Sequence, residues 1–343
     1  MKVGFIAPQS IAAVNGGVRT QALMTAKHLE KLGVEIEFVT PWTDLSTSDI
    51  DIFHVFVATP ETVGIVSNLR ERNKRIILSP VLFSTRTASK VKSLLSVEKL
   101  LNKISAGIRS EFAVKKEICR KADLLLPNTS DEANFIEEAF DIRSNKIQTI
   151  PNGVEERFKD SDSSLFQESK GLNDFVLFAG HASAPRKNVL QLIKAFQKID
   201  SNLVIIGDLS NSKYSKECQE LASKNDRIHL YPTLPHDSKL LASAYAACKV
   251  FVLPSFYETP GISAMEAALA GANIVITNTG GTKDYFDGFA EFISPDSVQS
   301  ITEGIKKALL KPESDLLKNH ILSNFTWNVV AEQTLDQYRK VLV

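Results

Sequence analysis

Short runs of apolar residues, each about the length of a buried β-strand, recur along the chain between stretches of helical spacing. In the first half, these runs are residues 3–7, 35–40, 52–57, 76–78, 124–127 and 146–150. In the second half, they are residues 175–179, 203–206, 228–231, 250–253, 274–277 and 291–293. Strands that alternate with helices predict a mostly parallel sheet with helices on both faces. The pattern therefore predicts an α/β protein with two doubly wound units in tandem.

A polar segment separates the two sets of strands. Residues 155–164 are rich in charge and serine and poor in apolar side chains, which is typical of an interdomain linker. We therefore predict a first domain over 1–155, a linker over 156–171 and a second domain over 172–326. Ligands bind beyond the carboxyl ends of the strands in doubly wound sheets, so two facing domains would place the ligand between them.

Composition and charge exclude several classes of protein. The 343 residues are 43% hydrophobic, and 40 basic residues balance 40 acidic ones, so we expect no nucleic-acid partner. Cys119, Cys218 and Cys248 are too widely spaced to indicate a disulfide framework or a zinc site, which fits a reducing cytoplasm. The first strand begins too early for a signal peptide, and no apolar run reaches about 18 residues. We therefore predict a cytoplasmic protein.

The most informative motif follows the strand at 250–253. Residues 258–271 read Glu-Thr-Pro-Gly-Ile-Ser-Ala-Met-Glu-Ala-Ala-Leu-Ala-Gly. A strand, a glycine-containing turn and a helix form an anion site, because the free N–H groups of the helix start point at the ligand. Gly261, Ile262 and Ser263 would suit a diphosphate there, and Glu266 could bridge two ribose hydroxyls. Alternatively, Ser263 and Glu266 form a capping box that only ties the helix start.

Glu258 and Glu266, separated by seven residues in this setting, resemble the signature of family 4 retaining glycosyltransferases with the GT-B fold. Other segments that resemble the family are Ile-Pro-Asn-Gly-Val at 150–154, Pro-Arg-Lys-Asn at 185–188, Gly-Gly-Val at 16–18 and the closing segment 325–338. The resemblance implies two facing Rossmann-like domains with parallel sheets. It also implies that a C-terminal helix, 327–343, crosses back to the first domain.

The resemblance further implies roles for individual residues of the second domain. Lys187 would neutralise the diphosphate of a nucleotide-sugar donor, with Arg186 and His181 beside it. Glu258 would face the transferred sugar, and Glu266 would hold the ribose. Glu258 and Lys187 are thus the implied catalytic residues. For Lys187, the alternative is a solvated lysine at a helix start.

In the first domain, Gly16 and Gly17 are the implied donor contacts, because they resemble the glycine loop that approaches the phosphates. The alternative is a plain tight turn. A fixed cation and helix-start N–H groups can stabilise a leaving diphosphate without metal, so we expect neither a metal nor a cofactor. Asp49 and Asp51 have the spacing of a metal motif, but they precede a strand and are interpreted as a turn and strand entry.

Three positions depart from the family pattern. His181 stands where the family often has arginine, and Arg186 is a possible substitute. Pro260 has no N–H to offer a sugar hydroxyl, which leaves the donor sugar open. The histidine that often follows the fourth strand of the first domain has no counterpart in residues 76–81. His54 lies in a neighbouring strand, and we interpret it as a core histidine with its hydrogen bonds satisfied.

The first domain contains a basic stretch, residues 86–121, with ten basic and three acidic residues and a net charge of +7. Its apolar residues recur at roughly helical spacing, which predicts a basic amphipathic helix or helix pair. Such a surface could bind anionic lipid on the inner face of a membrane. The alternative is a core-facing helix with a solvated basic face.

Together these features predict a retaining glycosyltransferase that moves a hexose-type sugar from a UDP- or GDP-sugar to an acceptor glycan or glycolipid. A lipid-linked or surface-polysaccharide precursor is one acceptor class. A sugar-nucleotide 2-epimerase of the same fold and a non-catalytic sugar-nucleotide-binding subunit remain alternatives. A dehydrogenase is disfavoured, because no Gly-x-Gly-x-x-Gly motif follows the opening strand of either domain.

Overall fold

The computed structural model of the chain describes residues 1–13, 16–45, 48–102, 107 and 109–343. The chain divides into two compact units. Unit 1 comprises Met1–Gly153 together with Trp327–Val343, and unit 2 comprises Val154–Thr326.

Unit 1 begins with alternating strands and helices. Its strands are β1 (Lys2–Ile6), β2 (Glu35–Phe38), β3 (Ile52–Phe56), β4 (Arg75–Ser79) and β5 (Leu124–Leu125). Its helices up to Gly153 are α1 (Gly17–Lys31), α2 (Pro60–Glu71), α3 (Ala88–Leu101), α4 (Glu111–Lys121) and α5 (Ser130–Phe140). The strands form a parallel sheet in the order β2-β1-β3-β4-β5.

Unit 2 repeats the alternation. Its strands are β6 (Phe175–Ala179), β7 (Leu203–Ile206), β8 (Ile228–Tyr231), β9 (Cys248–Leu253), β10 (Asn273–Thr277) and β11 (Glu291–Ile293). Its helices are α6 (Ser164–Lys170), α7 (Val189–Ala195), α8 (Lys213–Ala222), α9 (Lys239–Ala247), α10 (Ile262–Leu269), α11 (Lys283–Phe286), α12 (Val298–Leu310) and α13 (Leu316–Asn324). The parallel sheet has the order β11-β10-β9-β6-β7-β8. Strands β6, β7 and most of β9 are buried on both faces, which explains their continuous apolar sequences.

The last helix, α14 (Trp327–Leu342), belongs to unit 1 although it follows unit 2 in the chain. Its buried side chains, Trp327 and Tyr338 among them, share a hydrophobic core with α1 and with one face of the sheet. A Cβ atom at Gly153 would lie 2.5 Å from the Trp327 ring, so only glycine allows this close packing. Tyr338 also contacts His54, whose Nδ1 lies 2.5 Å from the tyrosine oxygen.

His54 is a buried core histidine, as the sequence predicted. Its Nε2 lies 3.0 Å from Ser79 Oγ, so both ring nitrogens have partners. Burial lowers the pKa of His54 to about 3, which keeps the ring neutral.

Two predictions about chain organisation are wrong. Residues 146–150 are not a strand: Ser144–Lys146 is a 3₁₀ helix, and Ile147 makes only an isolated bridge to Leu125. Residues 156–171 are not a free linker, because Phe158 and Phe166 are fully buried in the core of unit 2. The segment is polar on average, but two aromatic anchors are enough to fix it to the unit.

Two features are absent from the described residues. None of the helices there has the length and apolar character required to cross a membrane. In the same residues, no group of three or more His, Cys, Asp or Glu side chains is placed to hold a metal ion. Asp49 and Asp51 instead bind Lys2: Asp49 Oδ1 lies 2.8 Å from its Nζ, and Asp51 Oδ2 accepts a hydrogen bond from its backbone N–H.

Candidate functional site

The candidate site in unit 2 is built on the loop between β9 and α10. Gly261 precedes α10 in a left-handed conformation (φ 71°), which glycine adopts without strain. A Cβ atom there would lie 3.1 Å from the Ile276 side chain. Helix α10 then runs through the core, with residues 264–269 buried, while Ile262 and Ser263 are half-buried in its first turn. The free N–H groups of that turn are thus held in a fixed direction.

Glu258 and Lys187 form a nearly buried ion pair. Lys187 Nζ lies 2.5 Å from Glu258 Oε1, and the two side chains are 11% and 10% exposed. The Ser255 hydroxyl donates to the same carboxylate oxygen over 2.6 Å. Arg186 lies at the edge of the pair, with its guanidinium 3.8 Å from Glu258 Oε1. The structure therefore brings together two residues that are 71 positions apart in the sequence.

Backbone contacts fix the two loops that carry the ion pair. The Phe256 N–H donates to the Arg186 carbonyl over 2.9 Å. Asn188, which follows Lys187 in a left-handed conformation (φ 61°), donates its amide to the carbonyls of Pro254 (3.0 Å) and Pro295 (2.7 Å). Asparagine tolerates this conformation better than most residues. The Lys187 loop is therefore tied to the loop after β9 at two points.

A third loop, between β10 and α11, contacts the backbone of Glu258. The Glu258 N–H donates to the Thr279 carbonyl over 3.1 Å, and Glu258 forms a bridge with Gly280. Gly280 has φ 94°, and a Cβ atom at this position would lie 1.9 Å from the Glu258 carbonyl oxygen. Glycine is thus required at 280 for Glu258 to occupy its place.

Glu266 is buried, and both of its carboxylate oxygens are engaged. Oε1 lies 2.7 Å from His236 Nε2, and Oε2 accepts a hydrogen bond of 2.9 Å from the Tyr245 hydroxyl. The hydrogen bond with Glu266 raises the pKa of His236 above the ordinary histidine value. The residue that caps α10 is Gly261, not Ser263, so the capping-box alternative is wrong.

His236 and Tyr245 were not predicted from the sequence. They lie 30 and 21 positions before Glu266, in the loop after β8 and in α9. Glu155 and Arg157 adjoin the same group: Glu155 Oε2 lies 3.6 Å from His236 Nδ1, and Arg157 donates to the His236 carbonyl. No local motif connects these residues, since only the packing of unit 2 brings them together.

The other predicted donor contacts are His181, in unit 2, and Gly16 and Gly17, in unit 1. His181 is exposed after β6, and among the described residues no hydrogen bond or ion pair joins it to Lys187 or Glu258. Gly16 and Gly17 belong to unit 1, where Gly16 is extended (φ −141°) and Gly17 begins α1. A Cβ atom at Gly17 would meet no atom within 4 Å, so packing does not require glycine there.

The basic stretch of unit 1 forms the helix pair α3 and α4, and Lys103 lies outside the described residues. Helix α3 buries Val91 and Leu95 but exposes Val97 (55%), Leu100 (60%) and Leu101 (42%). Its lysines at 90, 92 and 99 are exposed. The stretch therefore has both a core-facing side and an exposed side that carries cations and apolar groups.

Sequence comparisons agree with the motifs. Residues 160–320 match the family model described as Glycosyl transferases group 1. An MMP alpha-(1->4)-mannosyltransferase of Mycolicibacterium hassiacum is 27% identical over 67% of this chain and 57% of its own length. A D-inositol 3-phosphate glycosyltransferase of Stackebrandtia nassauensis is 26% identical over 76% of this chain and 62% of its own length. The chain thus matches less than two thirds of the length of these relatives.

Solved structures with the same fold match almost the whole chain. A sucrose-phosphate synthase from Thermosynechococcus elongatus has a TM-score of 0.77 at 17% identity, with 99% of this chain and 98% of that chain covered. Anabaena HepE in complex with UDP has a TM-score of 0.74 at 14% identity, with 99% and 100% covered. The chain therefore has the GT-B fold and is similar, through its second unit, to the group 1 glycosyl transferases, as its motifs indicated.

Proposed function

We propose that this chain is a glycosyltransferase that uses a nucleotide-diphosphate sugar as donor. The observation that carries the proposal is the nearly buried Lys187–Glu258 pair next to the loop that leads into α10. A cation and helix-start N–H groups suit a diphosphate, and the carboxylate of Glu258 suits sugar hydroxyls. HepE has been crystallised with UDP and with UDP-glucose, so a UDP-sugar is the first donor to test and a GDP-sugar the second.

In the proposed reaction, the bond between the sugar anomeric carbon and the diphosphate breaks as the acceptor oxygen bonds to that carbon. Negative charge develops on the departing diphosphate, and Lys187 and the N–H groups of α10 stabilise it. The diphosphate oxygen takes the proton of the acceptor hydroxyl, so no separate base is needed. We propose that the anomeric configuration is retained, and NMR of the product tests this.

Lys187 is prepared for this role by its partner. In the absence of donor, Glu258 pairs with the Lys187 ammonium group at a nearly buried position. A bound diphosphate would share Lys187 with Glu258, which keeps its bond from Ser255. The cation then needs no reorganisation during the reaction. We also propose that no metal or other cofactor takes part.

Glu266 is the proposed ribose ligand. Its carboxylate is already aligned by Tyr245 and His236. Two ribose hydroxyls could donate to the oxygen atoms only if they share them with Tyr245 or displace His236. The proposed donor site therefore includes His236, which the sequence motifs did not indicate.

A binding experiment tests the proposal. In buffer containing EDTA, calorimetry should detect binding of UDP or GDP to the full chain. Lys187→Ala should weaken this binding by roughly 1.5–3 kcal/mol, because a charge-assisted contact is lost. Lys198→Ala, which removes an exposed lysine of the same unit, is the control and should leave the affinity unchanged. Equal dissociation constants for wild type and Lys187→Ala would refute the assignment, as would binding that depends on added magnesium or manganese.

We further propose that the exposed side of α3 attaches the enzyme to the inner face of an anionic membrane. The supporting observation is the combination of exposed lysines with exposed Val97, Leu100 and Leu101. Cations near the headgroups contribute about 1 kcal/mol each, and apolar side chains can enter the interface. This attachment would bring the enzyme to a lipid-linked acceptor, such as a glycolipid or a surface-polysaccharide precursor.

A further inference from the structure

Unit 1 contains a cavity between α3 and α4 that the proposed donor site does not use. Its volume is about 650 Å³. Small-molecule sites typically have volumes of about 300–1,000 Å³. The cavity is lined by Lys92, Leu95 and Lys99 from α3 and by Ala113 and Lys116 from α4, among others. It therefore combines a small apolar surface with several cations.

The acidic groups at the cavity are already engaged. Glu117 pairs with Lys121 over 2.6 Å and also with Arg109. Glu98 accepts a hydrogen bond of 3.0 Å from the Ser110 N–H and a second bond from its hydroxyl. Asp141 lies 3.9 Å from Arg120. Glu98 and Glu117 therefore have partners other than the lysines of the cavity, whereas the charge of Asp141 also acts on Lys116.

Three lysines at the cavity, Lys92, Lys99 and Lys116, lack such partners. In the part of the chain that the structure describes, no carboxylate lies within 4.0 Å of their ammonium groups. Lys116 is half-buried, and burial followed by the charge of Arg120 lowers its pKa. Like charges that converge on a concave surface concentrate a positive field. An anionic ligand would relieve this repulsion.

We propose that the cavity between α3 and α4 binds the phosphate group of a small molecule or lipid headgroup, through Lys92, Lys99 and Lys116. Phosphate fits better than a carboxylate, because its several oxygen atoms can accept from three ammonium groups at once. The apolar side chains of Leu95 and Ala113 provide contact area for the rest of the ligand. This site is independent of the proposed donor site, whose lysine lies in unit 2.

Inorganic pyrophosphate is the probe for the test. Binding is measured by calorimetry on the full chain carrying Lys187→Ala, so that the proposed donor site does not contribute. The cavity variant carries Lys92→Gln, Lys99→Gln and Lys116→Gln. The control variant carries Lys27→Gln, Lys31→Gln and Lys340→Gln, which removes three exposed lysines of the same unit that do not line the cavity. Circular dichroism verifies that both variants are folded.

We expect the cavity variant to bind pyrophosphate at least about tenfold more weakly than the parent protein does. The control variant should bind pyrophosphate with an affinity within about twofold of the parent. A second arm replaces pyrophosphate with short-chain phosphatidylglycerol below its micelle concentration, which presents the lipid headgroup without a membrane surface. If only phosphatidylglycerol binding depends on the cavity lysines, the natural phosphate belongs to a lipid headgroup; if only pyrophosphate binding does, it belongs to a small molecule. Equal losses in both variants, or no binding of either probe, would overturn the proposal.

Discussion

His236 contacts one oxygen of the carboxylate of Glu266, the proposed ribose ligand. The imidazolium form binds Glu266 more strongly than the neutral ring does, which is why the pKa of His236 is raised. The charge of Glu155 also raises the pKa of His236, and the charge of Arg157 lowers it. The buried Tyr245 hydroxyl stays protonated because burial raises its pKa. A ribose that needs Glu266 must therefore compete with His236 most strongly when the ring is charged.

This competition predicts a pH dependence of donor binding. As the pH rises through the pKa of His236, the affinity for a UDP-sugar should increase about fivefold, the difference between charged and neutral hydrogen bonds. A UDP-sugar is suitable because its diphosphate does not titrate in this range. His236→Gln should abolish the dependence. His320→Gln, in which a histidine packed against Phe289 is replaced, should preserve it. A flat profile for the wild-type protein would contradict the role of His236.

The extent to which single residues could be predicted depends on how local their signals are. Glu258, Gly261 and Glu266 lie within one strand–turn–helix motif, so the sequence places them on consecutive elements. The Lys187–Glu258 contact spans 71 positions and depends on the Asn188 amide and the packing of three loops. Contacts of this kind are fixed by tertiary structure, which a motif does not encode.

At the scale of elements, the turn between β10 and α11 determines where Glu258 lies. Gly280→Ala should displace the Glu258 backbone, since the new Cβ would lie 1.9 Å from its carbonyl oxygen. We expect UDP-sugar affinity to fall by about tenfold or more, because small misplacements of positioning residues have large effects.

Gly288→Ala is the matched control for this substitution. Gly288 also has a left-handed backbone (φ 79°), but a Cβ atom there meets nothing within 4 Å. Both variants should lose about 1–2 kcal/mol of stability from backbone strain, measured by urea denaturation, and the clash with Glu258 should add to the loss in Gly280→Ala. Only Gly280→Ala should lose affinity. Comparable affinities for the two variants would show that the turn does not position Glu258.

Helix α3 leads to a prediction about membrane attachment. Replacing Val97 and Leu100 with serine should lower co-sedimentation with anionic vesicles without any change in charge, since apolar groups that enter the interface are lost. Leu310→Ser, at an exposed leucine of unit 2, is the control. Raising the salt from 0.1 M to 1 M should also release the protein, because the Debye length falls from about 10 Å to about 3 Å. Wild-type protein that remains in the supernatant at low salt would refute the attachment.

Elements differ in how well their sequences predict them. Strands β6, β7 and β8 match the predicted runs residue for residue, because each run is short, begins after a polar residue and ends before a glycine or a proline. The segment 156–171 was wrongly predicted to be a linker because its average composition is polar. Phe158 and Phe166 alone determine that it packs into the core. Average composition identifies linkers poorly when a few large side chains supply the contact area.

For the whole molecule, the tryptophans provide a probe of one unit. The chain has two tryptophans, the exposed Trp42 and the buried Trp327, and both lie in unit 1. Their fluorescence should therefore follow the unfolding of unit 1. His54 lies in the same core and makes the stability of that core depend on pH.

The pKa of His54 is depressed to about 3 in the folded protein, so between that pH and about 6.5 the unfolded chain binds more protons. His54 therefore contributes up to about 5 kcal/mol to the free energy of unfolding. This contribution is fully present above about pH 6.5 and is lost as the pH falls to about 3. Burial raises the pKa of Glu132 to about 7. The stability that Glu132 contributes is therefore present at low pH and is lost as the pH rises, which is the opposite of the dependence for His54.

Urea denaturation followed by tryptophan emission at several pH values separates these two groups. His54→Gln should be less sensitive than the wild-type protein to acid between about pH 6 and pH 4. The stability of Glu132→Gln relative to the wild-type protein should be greater at neutral pH than at pH 4, because the buried negative charge of Glu132 is removed. Parallel stability curves for wild type and His54→Gln would show that this histidine does not control the acid sensitivity of unit 1.

The position of α14 at the end of the chain affects the order of events during synthesis. Unit 2 is continuous and can fold once Thr326 has left the ribosome, whereas the core of unit 1 lacks α14 until later. At about 5–20 residues per second, roughly 10–35 s pass between synthesis of Gly153 and Trp327. During this interval, the core that Phe5 and Phe56 share with α14 lacks the side chains of that helix. A nascent chain would therefore be open to chaperone binding on the first unit while the second unit is still being synthesised.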